Sequence, residues 1–328
     1  MNLKTSESKL FDFGLIKQKA LSFGFHKVGI SAVPTREASP PTTESSSLSV
    51  QRLQQWLDQG HHADMAWMKD PRRQDIYLVM PEVRSVISVA LNYYTPHEQS
   101  QDPAHAKISR YGWGRDYHKV LGRRLKALAA WLEAQGEGVT AHYYVDTGPI
   151  QEKAWAQQAG LGWIGKHGNL ITREYGSWVF LGEILTNLEL PPDRPHTDHC
   201  GTCTRCIEAC PTQAITEPFV VDANLCIAYH TIENRSETIP EAIAPHLQNW
   251  VAGCDICQAV CPWNERFAQE TEVPDFQPYP QNLAPSLTEL AQLSEHEWDQ
   301  RFRASALRRI RPDMMRRNAQ ASLPEIPS

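Results

Sequence analysis

The stretch CGTCTRCIEACP, from Cys200 to Pro211, sets four cysteines at intervals of two, two and three residues and closes on a proline. This is the bacterial ferredoxin run C-x2-C-x2-C-x3-C-P, in which three cysteines serve one cubane and the fourth serves another. A second run, CDICQAVCP, places Cys254, Cys257 and Cys261 before Pro262. It keeps the last three positions of the pattern, with Val251 where the first cysteine belongs. Cys226, in VDANLCIAYH, is the remaining cysteine and completes the eight. If the fourth ligands are exchanged as in two-cluster ferredoxins, Cys200, Cys203, Cys206 and Cys261 hold one 4Fe-4S cluster, and Cys210, Cys226, Cys254 and Cys257 hold the other. Zinc knuckles also use C-x2-C, but as separate pairs, so the spacing favours iron–sulfur over zinc.

The surrounding chain supports ligands rather than disulfides. All eight cysteines fall between Cys200 and Cys261 of a 328-residue chain, and the start, MNLKTSESKLFDFG, has no apolar signal core. No apolar run reaches the roughly 18 residues a spanning helix needs, so a cytoplasmic protein without membrane attachment is expected, and a monomer. With 41% apolar and 21% charged residues it can bury real cores, and a net charge of −6 argues against general nucleic-acid coating while leaving room for a local basic patch.

Upstream of the cysteines, residues 1–190 read as alternating elements. A helix is expected from about Leu15 to Phe25, then a strand in KVGISAV, then an exposed Ser/Thr/Pro-rich loop from Ser31 to Ser49. A helix with Leu53, Trp56 and Leu57 follows, and a buried strand in VRSVISVALNYY. Leu121, Leu125, Leu128 and Leu132 mark one face of a helix from Tyr117 to about Gln135. Strands are expected in VTAHYYV and SWVFLGEILTNLEL, with a helix from Ile150 to about Ala159 between them. Such alternation implies an α/β domain, in the form of an α+β sandwich. Residues 191–270 form the ferredoxin-like two-cluster module, and 271–328 a helical, basic C-terminal segment. No G-x-G-x-x-G follows a strand and no phosphate-binding P-loop is present, so nicotinamide and nucleoside triphosphates are unsupported.

Two polar stretches stand out. ISRYGWGRDYHKV gathers Arg110, Tyr111, Asp116, Tyr117 and His118 before a helix, where an acid can equally be an ordinary N-cap. Asp116 and His118 nearly spell the D-x-H-x-x-G signature of mutases that ligate cobalt through histidine, but Leu121 stands where the glycine belongs. The other stretch is YYVDTGPIQEKAWAQQAGLGWIGKHGNLI. There Asp146 follows a strand, Gly148-Pro149 turn the chain, and a glycine-rich loop offers backbone for close approach to a bulky ligand. An acid at the carboxyl end of a strand lies where α/β sheets place ligands, and helix capping is again the plain alternative.

This second stretch, followed by CGTCTRCIEACPTQAI, LCIAYHTIENR and GCDICQAVCPWN, resembles epoxyqueuosine reductase, a cobalamin-dependent family of queuosine synthesis in tRNA, over roughly Phe11 to Asn318. The resemblance implies two 4Fe-4S clusters and a cobalamin in the α/β domain, bound base-off with no protein histidine on cobalt. It implies Asp146 as the catalytic acid. Arg110, Tyr117, His118, Asp146, Gly165, Lys166 and Asn169 are the expected cofactor contacts. Its substrate is tRNA carrying epoxyqueuosine at the wobble position, and its electrons come from a flavodoxin- or ferredoxin-type donor. Removing the epoxide oxygen takes two electrons and two protons. Co(I) is a nucleophile able to open the ring, the clusters deliver single electrons, and Asp146 protonates the oxygen if burial beneath the corrin raises its pKa.

RFRASALRRIRPDMMRRN carries seven arginines against Asp313. A phosphate-binding face is the functional reading and a solvated helix face the plain one, and in an acidic chain the basic cluster favours a polyanion. Arg308, Arg309, Arg316 and Arg317 are the expected tRNA contacts. Many family members continue into a helical-repeat domain, so with the sequence ending at Ser328 a smaller, more salt-sensitive tRNA footprint is expected. Other classes remain open from sequence: a related cobalamin and iron–sulfur reductase such as a reductive dehalogenase, and a non-catalytic electron-transfer or cobalamin-carrier protein.

Overall fold

The computed structural model describes residues 13–34 and 44–323. The N-terminal part runs α1 (Phe13–Ser22), β1 (Lys27–Ala32), α2 (Glu44–Asp58), β2 (Ser85–Asn92), β3 (Lys107–Ile108), α3 (Tyr117–Glu133), β4 (Ala141–Tyr144), α4 (Glu152–Gln158), β5 (Trp163–Ile164), β6 (Leu170–Ile171) and β7 (Val179–Thr186). The expected loop from Ser31 to Ser49 falls partly outside the described residues, and the chain is already helical from Glu44.

Strands β1, β2, β7 and β4 form one sheet in that order, and every pairing is antiparallel. The fold is therefore mixed α/β without the parallel sheet that regular alternation suggests, and the carboxyl-end rule does not account for where Asp146 lies. Leu121, Leu125, Leu128 and Leu132 of α3 join Ile16 and Ala20 of α1 against Ile30, Ile87, Val89 and Ile184. Each fully buried aliphatic of this kind contributes about 1.5–3 kcal/mol. On the other face, Ala156 and Ala159 of α4 pack on Ala90, Leu161 and Leu170. Gly29 of β1 makes that approach possible, since a Cβ there would stand 2.0 Å from the Ala159 carbonyl oxygen. Covered on both faces, β2 is buried at every position and so reads as a continuous apolar run.

The cysteine segment and the C-terminal segment are woven into this body. Strand Trp250–Ala252 pairs in parallel with β3, and helix Pro312–Gln320 closes over them, with Ile108, Val251, Ala252, Met314, Met315 and Ala319 in one apolar cluster. Val251, where the pattern of the second run asks for a cysteine, is fully buried in that cluster. Among the described residues, no helix is long and apolar enough to cross a membrane.

Candidate active site and cluster-ligand sites

A cleft of ≈ 730 Å³ opens where the start of α3, the loop after β4, the first turn of α4 and the beginning of β7 converge. Tyr117 lies flat on Phe180, with ring centroids 4.2 Å apart and planes 5° from parallel, and stacks on His118 at 4.0 Å. Lys153, Asn169, Ser177 and Gln258 add polar groups, and Glu233 and Arg309 stand at the rim as an ion pair with Nε–Oε1 2.9 Å and Nη2–Oε2 2.6 Å.

Asp146 projects into this cleft. Its backbone has φ 56°, a left-handed conformation that costs a non-glycine residue free energy and concentrates at functional sites. The Glu152 carboxylate holds the turn by accepting the Asp146 backbone N–H. Asp146 caps no helix, because α4 has Gln151 at its N-cap without a side-chain bond. Asp146 Oδ2 lies 3.2 Å from His118 Nε2, and Asp116 Oδ1 lies 2.7 Å from His118 Nδ1. Asp116 is also the N-cap of α3, accepting the His118 backbone N–H at 3.0 Å, so there the plain reading holds as well.

These contacts favour a charged His118 and an ionised Asp146. Burial works against a charged His118, but Asp116 and Asp146 outweigh it and raise its pKa to about 9. Burial pushes the Asp146 carboxyl up, yet its hydrogen bond to His118, the His118 charge, a Tyr117 hydrogen bond and the charge of Arg309 together hold it below the ordinary value. The side chain is 58% exposed, because the cleft surrounds it with protein atoms while staying open to solvent. The rise expected for Asp146 belongs to burial beneath a bound corrin, and the contacts of the open cleft pull in the other direction. At neutral pH its partner His118 carries the proton.

Of the expected cofactor contacts, Tyr117, His118, Asp146 and Asn169 line the cleft. Arg110 does not: its guanidinium donates to the Thr95 and His97 carbonyls and lies over the Tyr94, Trp113 and Trp178 rings. Gly165 is absorbed by its own hairpin, where a Cβ would meet Ile171 Cδ1 at 2.5 Å. Lys166 turns away toward the cysteine loop, its Nζ donating to the Gly201 carbonyl at 2.7 Å and the Cys203 carbonyl at 2.9 Å. Arg73, Glu152 and Lys153 also line the cleft, although no sequence pattern marks them as contacts. Arg73 lies in a run of short 3-10 turns that has no periodic pattern to mark it.

The C-terminal arginines separate. Arg308 is exposed and paired with Asp299 at 2.7 Å, Arg309 stands at the cleft rim, and half-buried Arg316 donates to the Leu293 carbonyl at 2.9 Å. Arg317 is buried, donating to the backbone carbonyls of His230, Asn234 and Ser236 and to the Asn318 side chain. A guanidinium so engaged is unavailable to phosphate, so its placement among the tRNA contacts is corrected: Arg317 clamps the cysteine segment.

The electrostatic neighbours of Cys206, Cys254 and Cys257 fall mostly within the expected sets, although among the described residues no three cysteines already stand grouped as metal ligands. Burial raises the Cys206 thiol to about 11, and its charged neighbours are Cys261, Cys200 and Cys203. Cys257 is raised by burial and then by Cys226, with Asp255, Cys206 and Cys210 beyond, and Cys254 is raised by burial and then by Cys257 and Cys226. Cys206 is among the neighbours of Cys257, so the two sets adjoin. Cys226 and Cys261 occupy the same local position, each the N-cap of a short helix, at φ −78° and ψ 122° and at φ −72° and ψ 123°. Backbone N–H groups of the first turn face both sulfurs, and Ala214 N donates to Cys210 Sγ at 3.2 Å. Buried and half-buried thiols, with backbone donors facing Cys210, Cys226 and Cys261, suit ligands to a metal cluster.

Comparison with known proteins agrees with this arrangement. The family described as "Epoxyqueuosine reductase QueG, DUF1730" matches residues 73–147, and the "4Fe-4S double cluster binding domain" matches residues 199–264. The chain is 66% identical to the epoxyqueuosine reductase of Synechocystis sp. over 87% of its length and 99% of the relative's, and 41% identical to that of Salmonella typhimurium over 95% and 79%. A crystal structure of an epoxyqueuosine reductase with an epoxyqueuosine-modified tRNA-Tyr stem loop superposes with TM-score 0.84 at 28% identity, covering 94% of this chain and 80% of that one. A Bacillus subtilis structure with its aspartate catalytic loop swung out of the active site superposes equally well, with TM-score 0.84 at 28% identity over 94% and 80%. The chain belongs to the epoxyqueuosine reductase family.

Proposed function

We propose that this protein reduces epoxyqueuosine in tRNA to queuosine, with Asp146 and His118 as the proton-donating pair and two 4Fe-4S clusters as the electron path. The observation that carries the reading is the Asp116–His118–Asp146 chain in a cleft, in a chain of this family whose residues 199–264 match a double-cluster binding domain. The named relatives act on epoxyqueuosine, and one is described with a modified tRNA stem loop, which favours this reading over the dehalogenase and carrier alternatives. A catalytic loop bearing an aspartate in the Bacillus subtilis relative supports the role given to Asp146 and its strained turn.

Cobalamin is the group the family implies, and the cleft suits it chemically. The stacked column of His118, Tyr117 and Phe180 lines one side of the cleft, and Lys153, Asn169, Ser177 and Gln258 can meet the amide side chains of a corrin. Both His118 nitrogens are engaged by carboxylates, in keeping with a corrin held without a histidine on cobalt. When bound, the corrin supplies a low-valent cobalt nucleophile. The protein's part is protonic: His118 stores a proton at neutral pH, Asp146 passes it to the epoxide oxygen, and Asp116 keeps the imidazole oriented. Arg309 at the rim, with Arg308 and Arg316 on the adjoining surface, faces the tRNA backbone. A one-electron carrier of flavodoxin or ferredoxin type reduces the clusters, and the chain works as a cytoplasmic monomer.

The test is direct. Protein reconstituted with iron, sulfide and cobalamin and supplied with a strong one-electron reductant is expected to convert an epoxyqueuosine-bearing anticodon stem loop to queuosine, read by nucleoside mass spectrometry. Bound corrin and full clusters without queuosine would reject the reading.

A further inference from the structure

Behind Asp146 lie two carboxyls to which the chemistry above gives no task, Glu152 in the cleft wall and Glu183 outside its lining. Glu183 sits in the middle of β7, wholly buried, and its carboxyl meets no well-formed hydrogen bond among the described residues, the Glu152 carboxyl being the group near enough to share one. Its cross-strand neighbours are Ser88 on β2 and Tyr144 on β4. Directly opposed residues project from the same face of a sheet, and the Ser88 hydroxyl is buried without a partner among the described residues. Helix α4 covers this face and brings Glu152 to it. Glu152 accepts the Asp146 backbone N–H and lines the cleft, so it joins the buried Glu183 to the space in which Asp146 works.

Among the described residues, no cation is ion-paired with either carboxyl. Lys153, next on α4, donates to the Gly168 carbonyl at 2.9 Å and Asn169 Oδ1 at 3.0 Å, and its charge offsets the burial of Glu152 only in part. Arg73, from the turns before β2, donates to the Gly148 and Ile150 carbonyls. The other groups facing Glu152 are Asp146 from the β4–α4 loop and Tyr117 from α3. A buried carboxyl without a counter-ion is held in its neutral form. Burial, and then Glu152 beside it, keep Glu183 well above the usual carboxylate range. Burial, and then the Asp146 charge, push Glu152 to about 7.

We propose that Glu152 and Glu183 form a proton store for the reaction, Glu152 releasing the second of the two protons consumed and Glu183 replenishing it. This rests on the epoxyqueuosine reading. Both carbon–oxygen bonds of the epoxide break, a carbon–carbon double bond forms, two electrons arrive singly from the clusters and their external carrier, and the oxygen leaves as water with two protons. The His118–Asp146 pair has one proton to give per cycle. The second must reach the same oxygen, and Glu152 is the neutral acid that opens onto the same cleft.

The experiment pairs two readouts on the full chain. In the first, infrared difference spectra of wild type, Glu152→Gln and Glu183→Gln are recorded across about pH 5 to 9. A protonated-carboxyl band that fades in the wild type as pH rises through about 7 and is lost or displaced in both variants is expected. Its absence from the wild type, or its persistence unchanged in both variants, would overturn the store. In the second, cofactor-loaded protein turns over the stem loop. Wild-type kcat is expected to fall in two alkaline steps, near 7 for Glu152 and near 9 for His118. Glu152→Gln is expected to lose the first step and about a hundredfold in kcat with KM unchanged, and Glu183→Gln to shift that step. A Glu152→Gln protein with wild-type kcat and both steps would overturn the role. A wild type inactive on epoxyqueuosine would reject both the function and this use of the store, while the infrared readout would still decide whether the pair holds a proton.

Discussion

Asp146 is an ionised carboxylate hydrogen-bonded to a charged imidazole, so its acidity is borrowed. Asp146→Asn keeps the shape and both neighbours but can neither take nor pass the proton. It is expected to bind corrin and both clusters and to lose about a hundredfold or more in kcat, within the range for a lost general acid. Near-normal turnover would remove Asp146 from the chemistry. His118→Gln is expected to erase the loss of activity as pH rises through about 9, because the titrating proton is gone. The sign is fixed by the raised pKa: the charged form, and the stability it brings through Asp116 and Asp146, is fully present below the ordinary histidine value and lost as pH climbs through about 9. The sequence marked Asp146 through its strand-turn-helix setting, but not this proton's location, which depends on a contact between two segments 28 residues apart. Glu183 did leave a trace, as the one charge in the strand VFLGEILT.

At the scale of elements, spacing was most informative where the chemistry is local. The C-P turns and the C-x2-C intervals group the cysteines because each run must wrap one cubane, and Cys226 follows by completing the count. The glycine-rich loop misled for the opposite reason: its glycines admit the chain's own hairpin, and at Gly165 the neighbour is Ile171 rather than a ligand. Cys226→Ala is expected to leave about four of about eight irons per chain on reconstitution, with the cluster of Cys200, Cys203, Cys206 and Cys261 keeping its spectrum. Adding Val251→Cys to that variant is expected not to restore the lost cluster, since residue 251 is fixed in a buried strand whose carbonyl accepts from Asn318 Nδ2 at 2.8 Å. Iron analysis with electron paramagnetic resonance decides both, and two intact signals in Cys226→Ala would break the assignment.

Across the whole molecule, helix positions, the leucine face of α3 and the buried strands were legible, whereas the antiparallel order of the sheet and the weaving of the three segments were not. Antiparallel and parallel strands buried on both faces present the same apolar run, and the pairing of β3 with residues 250–252 joins positions too distant for any local pattern. The same weaving divides the basic tail. Replacing Arg308, Arg309 and Arg316 with Ala is expected to raise KM for tRNA, with kcat little changed. Its salt dependence is expected to flatten by close to one unit of log–log slope for each phosphate that is no longer neutralised. Arg317→Ala is expected instead to lower thermal stability and iron content, and a variant altered only in salt slope would return Arg317 to the surface set. Asn318 carries this furthest. Its Nδ2 bonds the Thr231 and Val251 carbonyls, each at 2.8 Å, drawing together the segments that bring Cys226 and Cys254. A ribosome makes every cysteine of both expected sets before it makes that asparagine, so the tie between the Cys226 and Cys254 segments is added only after all eight thiols are in the chain.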